Sequence, residues 1–109
     1  MVKSNHLLLI TAACDGNVAI MNQYLSSDDP SVNFTITPDS QTALWLACKC
    51  GHINIVKLLL AHKDIDVNKK DKTSGTTPLM ICASMGSSHI DILHLLIASD
   101  GIDLNATMG

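Results

Sequence analysis

The chain repeats itself. "TALWLACKCGHINIVKLLL", starting at Thr42, returns as "TPLMICASMGSSHIDILHLLI", starting at Thr77, an offset of 35 residues. Leu44 then answers Leu79, Ala47 answers Cys82 and Gly51 answers Gly86. The same step backwards places Leu44 on Leu9, Ala47 on Ala12, Cys48 on Ala13, Gly51 on Gly16, Ile55 on Ile20 and Asn68 on Asn33. Self-similarity at a fixed period of this length marks a stacked-repeat architecture. One such unit cannot bury its own apolar face, so successive units bury one another's. At 109 residues the chain holds about three units.

Each unit reads as two helices followed by an extended loop. First helices are predicted over residues 4–14, 42–50 and 77–85, and second helices over 18–27, 53–62 and 89–99. Ser4, Thr42 and Thr77 suit the starts, because a hydroxyl there accepts from the free amides of the first turn. Pro78 belongs in that turn, where no amide partner is lost. Gly16, Gly51 and Gly86 end the first helices in the left-handed conformation. In the second helix Ile55, Val56, Leu58, Leu59 and Leu60 cover more than half the circumference. That is too wide for one partner and fits a helix held between neighbours. The connecting stretches "SVNFTITPDSQ", "DVNKKDKTSG" and "DLNATMG" carry Asn after Val or Leu, with Pro38, Asp39 and Gly75 adding turn character, and read as hairpin-like loops.

With one Phe, one Tyr and one Trp, the core must be built from Leu, Ile, Val, Ala and Cys. That composition suits close-packed helices better than a β-sandwich. A net charge of −3 gives no electrostatic case for nucleic acid. No apolar stretch reaches membrane-spanning length. The opening "HLLLITAACDGN" has the outline of a bacterial lipoprotein signal. However, its Ala12-Ala13 pair has counterparts in the later units, and Ser4, Asn5 and His6 break the approach to the apolar run. The expected location is intracellular, cytoplasmic or nuclear, with the four cysteines as free thiols.

The pattern resembles the ankyrin repeat. It is carried by Thr77-Pro78-Leu79, Ala47-Cys48, Gly51-His52, Ile55-Val56, Leu58-Leu59 and Asp66-Val67-Asn68, and it covers nearly the whole chain. The resemblance implies an all-α ankyrin-repeat solenoid of stacked helix-turn-helix units, a single domain over 1–109 with repeats at roughly 1–35, 36–70 and 71–109. Two departures stand out. The family's first-helix His, which bonds the loop below it, is Ile10, Trp45 and Met80 here, so the loops are expected to be held less firmly. Ser87-Ser88 reads as a two-residue insertion.

Motifs that suggest chemistry have simpler readings. In Cys48-Lys49-Cys50-Gly51-His52 the one-residue gap is too short for a usual structural zinc pair and points the two thiols in different directions on a helix. Cys48 and Cys82 occupy Ala positions and read as core residues, whereas Cys14 and Cys50 fall near the groove. Asp64 to Asn68 begins like a calcium loop, but Lys69 and Gly75 stand where Gly and Glu are required. Asn33-Phe34-Thr35 and Asn105-Ala106-Thr107 are sequons without a secretory context. Leu60, Asp66, Val67 and Asn68 match the preference of an asparaginyl hydroxylase that acts on family loops, but they are equally the structural consensus. No Ser, Cys or Thr has a base and an orienting group, and His62, His89 and His94 read as surface residues. No enzymatic activity, cofactor or metal is expected.

The resemblance implies a non-catalytic protein–protein interaction module that binds a protein partner through its concave groove and loop tips. The positions the consensus leaves free are Thr35, Thr37, Asp39 and Gln41 in one loop, Lys70, Lys72, Thr73 and Thr76 in the next, and Lys49, Cys50, Ser84 and Met85 on the first helices. Lys49, Lys70 and Lys72 could form a weakly basic strip. Trp45 is either an aromatic anchor for the partner or a residue packed over a loop. The alternatives are an N-terminal recruitment domain of a larger enzyme, or a stand-alone protein inhibitor of an enzyme or transcription factor. The last second helix is apolar on both sides through Ile92, Leu93, Leu95, Leu96 and Ile97, where a terminal repeat normally turns a polar face outward. Further C-terminal repeats or self-association through the last repeat are therefore expected.

Overall fold

The computed structural model describes residues 4–27, 30–36 and 40–104. Three helix pairs follow one another: α1 (Ser4–Asp15) with α2 (Val18–Leu25), α3 (Ala43–Cys50) with α4 (Ile53–Leu60), and α5 (Pro78–Ser84) with α6 (Ile90–Ile97). They stack as layers measuring 35 × 26 × 23 Å in all, as expected for three helix pairs about 10 Å apart. First helices touch one another more extensively than second helices do, so they form the more closely packed side of the stack.

Local chemistry sets the helix boundaries. The Thr42 hydroxyl accepts from the Trp45 amide at 3.1 Å and the Thr77 hydroxyl from the Met80 amide at 3.2 Å, each satisfying one orphan donor of a first turn. The cap expected at Ser4 lies outside the described side chains. At the other end, Gly51 adopts φ 79° and its amide returns to the Ala47 carbonyl at 2.9 Å. A side chain would be strained in that left-handed backbone.

Close packing of first helices depends on small residues. Ala12, Ala47 and Cys82 are 1%, 0% and 1% exposed, three copies of one seat where adjoining helices meet. Around them Leu9, Leu44, Ile55, Val56, Leu59 and Leu96 complete an almost wholly aliphatic core. No helix among the described residues is long and apolar enough to cross a membrane.

The layers are also keyed to one another by polar bonds that recur at the repeat period. Asn33 donates through Nδ2 to the Asp64 carbonyl and accepts through Oδ1 from the Asp66 amide, both at 2.7 Å. One layer on, Asn68 does the same to the Gly101 carbonyl at 2.7 Å and the Asp103 amide at 2.9 Å. Both groups of each Asn amide are thus used on the loop of the following unit, which fixes register as well as contact. A second rung joins the turns: His52 Nε2–H donates to the Cys14 carbonyl at 2.8 Å, and His89 Nε2–H to the Lys49 carbonyl at 3.1 Å.

His89 reaches that place despite the Ser87-Ser88 insertion, because residues Gly86–His89 wind into a 3₁₀ turn. The inserted serines are taken up in this extra turn, which is wound at three residues per turn, and Ser88 Oγ lies 2.8 Å from Nδ1 of the ring it positions. His89, expected to be an ordinary surface residue, is therefore an interlayer contact.

The loops differ in construction. Between the first two layers, β1 (Thr35–Ile36) and β2 (Gln41–Thr42) form a short antiparallel pair, Thr35 opposite Thr42. Ser40 turns into β2 at φ 55°, where the next loop has Gly75 at φ 68°. That next loop is closed by the Asp71 amide on the Thr76 carbonyl at 3.0 Å and the Gly75 amide on the Asp71 carbonyl at 3.1 Å.

Candidate functional site

Two rows of equivalent side chains run across the C-terminal ends of the first helices. Cys14, Lys49 and Ser84 share one register position, and Asp15, Cys50 and Met85 share the next. All six are exposed, although the preceding residues of α3, Ala43 to Cys48, are buried without exception. In α1 and α3 the split is abrupt: the two exposed positions directly follow the buried pairs Ala12-Ala13 and Ala47-Cys48. Sequence reasoning assigned Lys49, Cys50, Ser84 and Met85 to this surface and put Cys14 near the groove without counting it among the partner-binding residues, and it left Asp15 out. The same offset that revealed the repeat also places those two in the rows.

Lys49 has a fixed place in its row. Its ammonium stands 5.6 Å from the centre of the Trp45 ring one turn back, a cation–π arrangement that holds the charge over a buried aromatic. Among the loop candidates Lys72 and Thr73 are exposed, and Thr35, Gln41 and Lys70 are half-buried. Thr37 and Asp39 lie outside the described residues.

Trp45 and Thr76 do not belong to the accessible surface. Trp45 is 3% and Thr76 8% exposed. The indole Nε1–H donates to both the carbonyl and the hydroxyl oxygen of Thr76, each at 3.2 Å. Of the two readings of Trp45, the loop-packing one holds. The expectation that this loop is held loosely is corrected as well. An indole reaches the loop that a histidine would otherwise bond, because a large flat ring can both fill the layer gap and end in a donor.

That donor terminates a polar network, buried at Asp71 and Thr76 and open to solvent at Ser74, that sequence reasoning missed. Thr76 Oγ1 donates to Asp71 Oδ1 at 3.2 Å, the Thr76 amide approaches the same oxygen at 3.3 Å, and the Ser74 hydroxyl also donates to it. The Ser74 amide reaches Asp71 Oδ2 at 3.4 Å. Burial pushes the Asp71 carboxyl upward, but the hydrogen bonds from Ser74 and Thr76 together outweigh it and hold the group below the usual carboxylate range. No side-chain polar atom buried among the described residues lacks a partner.

The four thiols are free and divide by position: Cys48 and Cys82 are buried, Cys14 and Cys50 exposed. Burial, reinforced by the neighbouring Cys82, drives the Cys48 thiol far above its ordinary value, and burial raises Cys82 too. Cys14 is raised by partial burial and then by Cys50 and Asp15 beside it. The described residues contain no cluster of three or more His, Cys, Asp or Glu side chains placed to hold a metal ion.

The family model for ankyrin repeats in three copies matches residues 9–108. The chain belongs to the ankyrin-repeat family. It is 47% identical over 72 residues to the ankyrin repeat and KH domain-containing protein mask-1 of Caenorhabditis elegans, which covers 66% of this chain. To the mask protein of Drosophila melanogaster it is 32% identical over 100 residues, 90% of its length. To cortactin-binding protein 2 of Rattus norvegicus it is 38% identical over 74 residues, 68% of its length. The matched segments make up only 3%, 2% and 4% of those relatives. Ankyrin repeats are in general protein–protein interaction modules without enzymatic activity. In ankyrin terms, Trp45 stands where the first-helix histidine of the family stands and performs its bonding by other means.

Proposed function

We propose that this chain is a non-catalytic ankyrin module that binds a protein partner through the inner surface of its first helices and the adjoining loop tips. The observation that carries the reading is the pair of rows Cys14–Lys49–Ser84 and Asp15–Cys50–Met85. Their side chains are exposed in every layer, and the interlayer bonds at Cys14 and Lys49 use only the backbone carbonyls of those residues. A surface uncoupled from folding is free to specify a partner. Mixed polarity, one fixed cation and an exposed methionine favour a protein surface over a nucleic acid, which would require clustered basic groups. Free cysteines in two exposed positions suit a reducing intracellular compartment.

Affinity capture from the native cell tests this. Lys49→Glu and Met85→Glu should leave the helical signal intact and reduce capture of the native partner at least tenfold. Lys57→Glu, on the exposed side of α4, should leave capture unchanged. Loss with Lys57→Glu and not with the row variants would place binding on the second helices and overturn the reading.

A further inference from the structure

We propose that the partner surface takes an acidic peptide segment, whose carboxylates meet Lys49 and Lys72 on the second layer and whose apolar side chain reaches Met85 on the third. The proposal rests on the protein-binding reading above and adds the chemistry of the partner to it.

The two cations belong to separate elements joined through one indole. On the helix side, the Lys49 ammonium stands 5.6 Å from the centre of the Trp45 ring. On the loop side, the same ring donates through Nε1 to the Thr76 carbonyl at 3.2 Å, and that carbonyl also accepts from the Asp71 amide at 3.0 Å. Lys72 is the next residue and is exposed. Two hydrogen bonds thus connect the ring beside Lys49 to the backbone that carries Lys72, a reach that long, flexible lysine stems can cover. Neither neighbouring layer can build this link. Ile10 and Met80 stand at the positions equivalent to Trp45, and neither side chain has a donor.

The loop is held in shape from within. Asp71 Oδ1 accepts from the Ser74 and Thr76 hydroxyls, and the Gly75 amide closes on the Asp71 carbonyl at 3.1 Å. A site already ordered loses little freedom on binding. Asp71 does not present its own charge to the partner: it is buried, with its oxygens turned to Ser74 and Thr76, so an incoming carboxylate meets ammonium groups. Asp15 is the one acid among the six row residues and lies one layer back. Its like charge repels an acidic segment from the first layer and directs it toward the third, where Ser84 and Met85 are exposed. Two lysines on a chain of net charge −3 suit a short acidic segment and fall short of the clustered cations a nucleic-acid backbone requires.

The test selects random peptides displayed on phage against the immobilised full chain. Binders should be rich in Asp and Glu with an apolar residue nearby. A selected peptide carrying fluorescein should bind more weakly as salt rises. Lys49→Gln with Lys72→Gln should weaken it at least about tenfold. Lys57→Gln with Lys63→Gln makes the same change in net charge at exposed sites away from the rows and should leave binding unchanged. Trp45→Phe keeps a ring beside Lys49 but drops the bond to Thr76. It should weaken binding while the salt dependence persists, in a chain whose helical signal is intact. Selection of neutral or basic peptides, an equal loss with the Lys57 and Lys63 pair, or displacement of the peptide by oligouridylate would overturn the proposal. The two readings fail separately. A native partner captured through the row residues with no salt dependence refutes the acidic segment alone, whereas a native partner indifferent to Lys49→Glu and Met85→Glu refutes the surface itself.

Discussion

The ring of His52 lies directly on Gly16: a Cβ added to that glycine would stand 2.7 Å from Nδ1, while Nε2–H holds the Cys14 carbonyl at 2.8 Å. Gly16 serves two purposes at once. It supplies a left-handed helix end and leaves room for the ring that joins two layers.

Substitution of the three turn glycines should therefore give graded losses. All three have positive φ, so Ala at any of them carries a backbone penalty of about 1–2 kcal/mol. Gly16→Ala adds a collision with the His52 ring, Gly51→Ala a milder one with His89, and Gly86→Ala none. The expected order of destabilisation in urea is Gly16, then Gly51, then Gly86. Gly86→Ala matching Gly16→Ala would show that backbone strain alone governs these sites.

Trp45 should behave as a stabilising clamp. Trp45→Phe keeps most of the packing but removes the donor to Thr76 and should lower stability by about 1–2 kcal/mol. Trp45→Ala also opens a cavity and should lower it by about 3–5 kcal/mol. Helical circular dichroism through a urea titration measures both. A Trp45→Ala chain as stable as the parent would refute the buried role.

The loop network predicts an acid-sensitive contribution. The hydrogen bonds from Ser74 and Thr76 hold the Asp71 carboxyl below the usual carboxylate range in the folded chain. Its carboxylate thus contributes stability above the unfolded-state pKa, and that contribution is lost as pH falls through the lower folded-state value. Asp71→Asn should lower the urea midpoint at pH 7. The gap to the parent should narrow below about pH 4 and close in stronger acid. A gap independent of pH would mean that shape, not charge, matters at this position.

Thiol labelling should separate the cysteines. Cys14 and Cys50 are exposed, whereas Cys48 and Cys82 are buried with raised pKa values that disfavour the thiolate. Under native conditions iodoacetamide should modify the first pair at least roughly tenfold faster than the second, as read by peptide mass spectrometry. Cys48 should label only as fast as the chain unfolds, and rapid labelling there would contradict the close packing of α3 on α5.

Much of this fold was legible in the letters. The helices, their threonine caps and their glycine ends depend on neighbours within a turn or two, and such short-range preferences are written directly in local sequence. The 35-residue offset then revealed the shared seat of Ala12, Ala47 and Cys82, and with it the stacking. The candidate surface was legible only in part. The offset identifies equivalent positions but does not show which of them the next layer covers, so Trp45 and Thr76 were placed on a surface from which they are excluded, Cys14 was put near the groove but not among the binding residues, and Asp15 was passed over.

Sequence alone therefore determined the period, the helix pairs and the family, because each follows from contacts between residues close along the chain or from a repeat that can be counted. Only the tertiary structure decided that an indole takes over the loop bond, that a 3₁₀ turn returns His89 to Gly51 despite two inserted serines, and that Asp71 anchors the loop Trp45 clamps. The two interlayer bonds among these join groups 31 and 40 residues apart. Whether such partners meet depends on how the layers seat, which no local preference encodes.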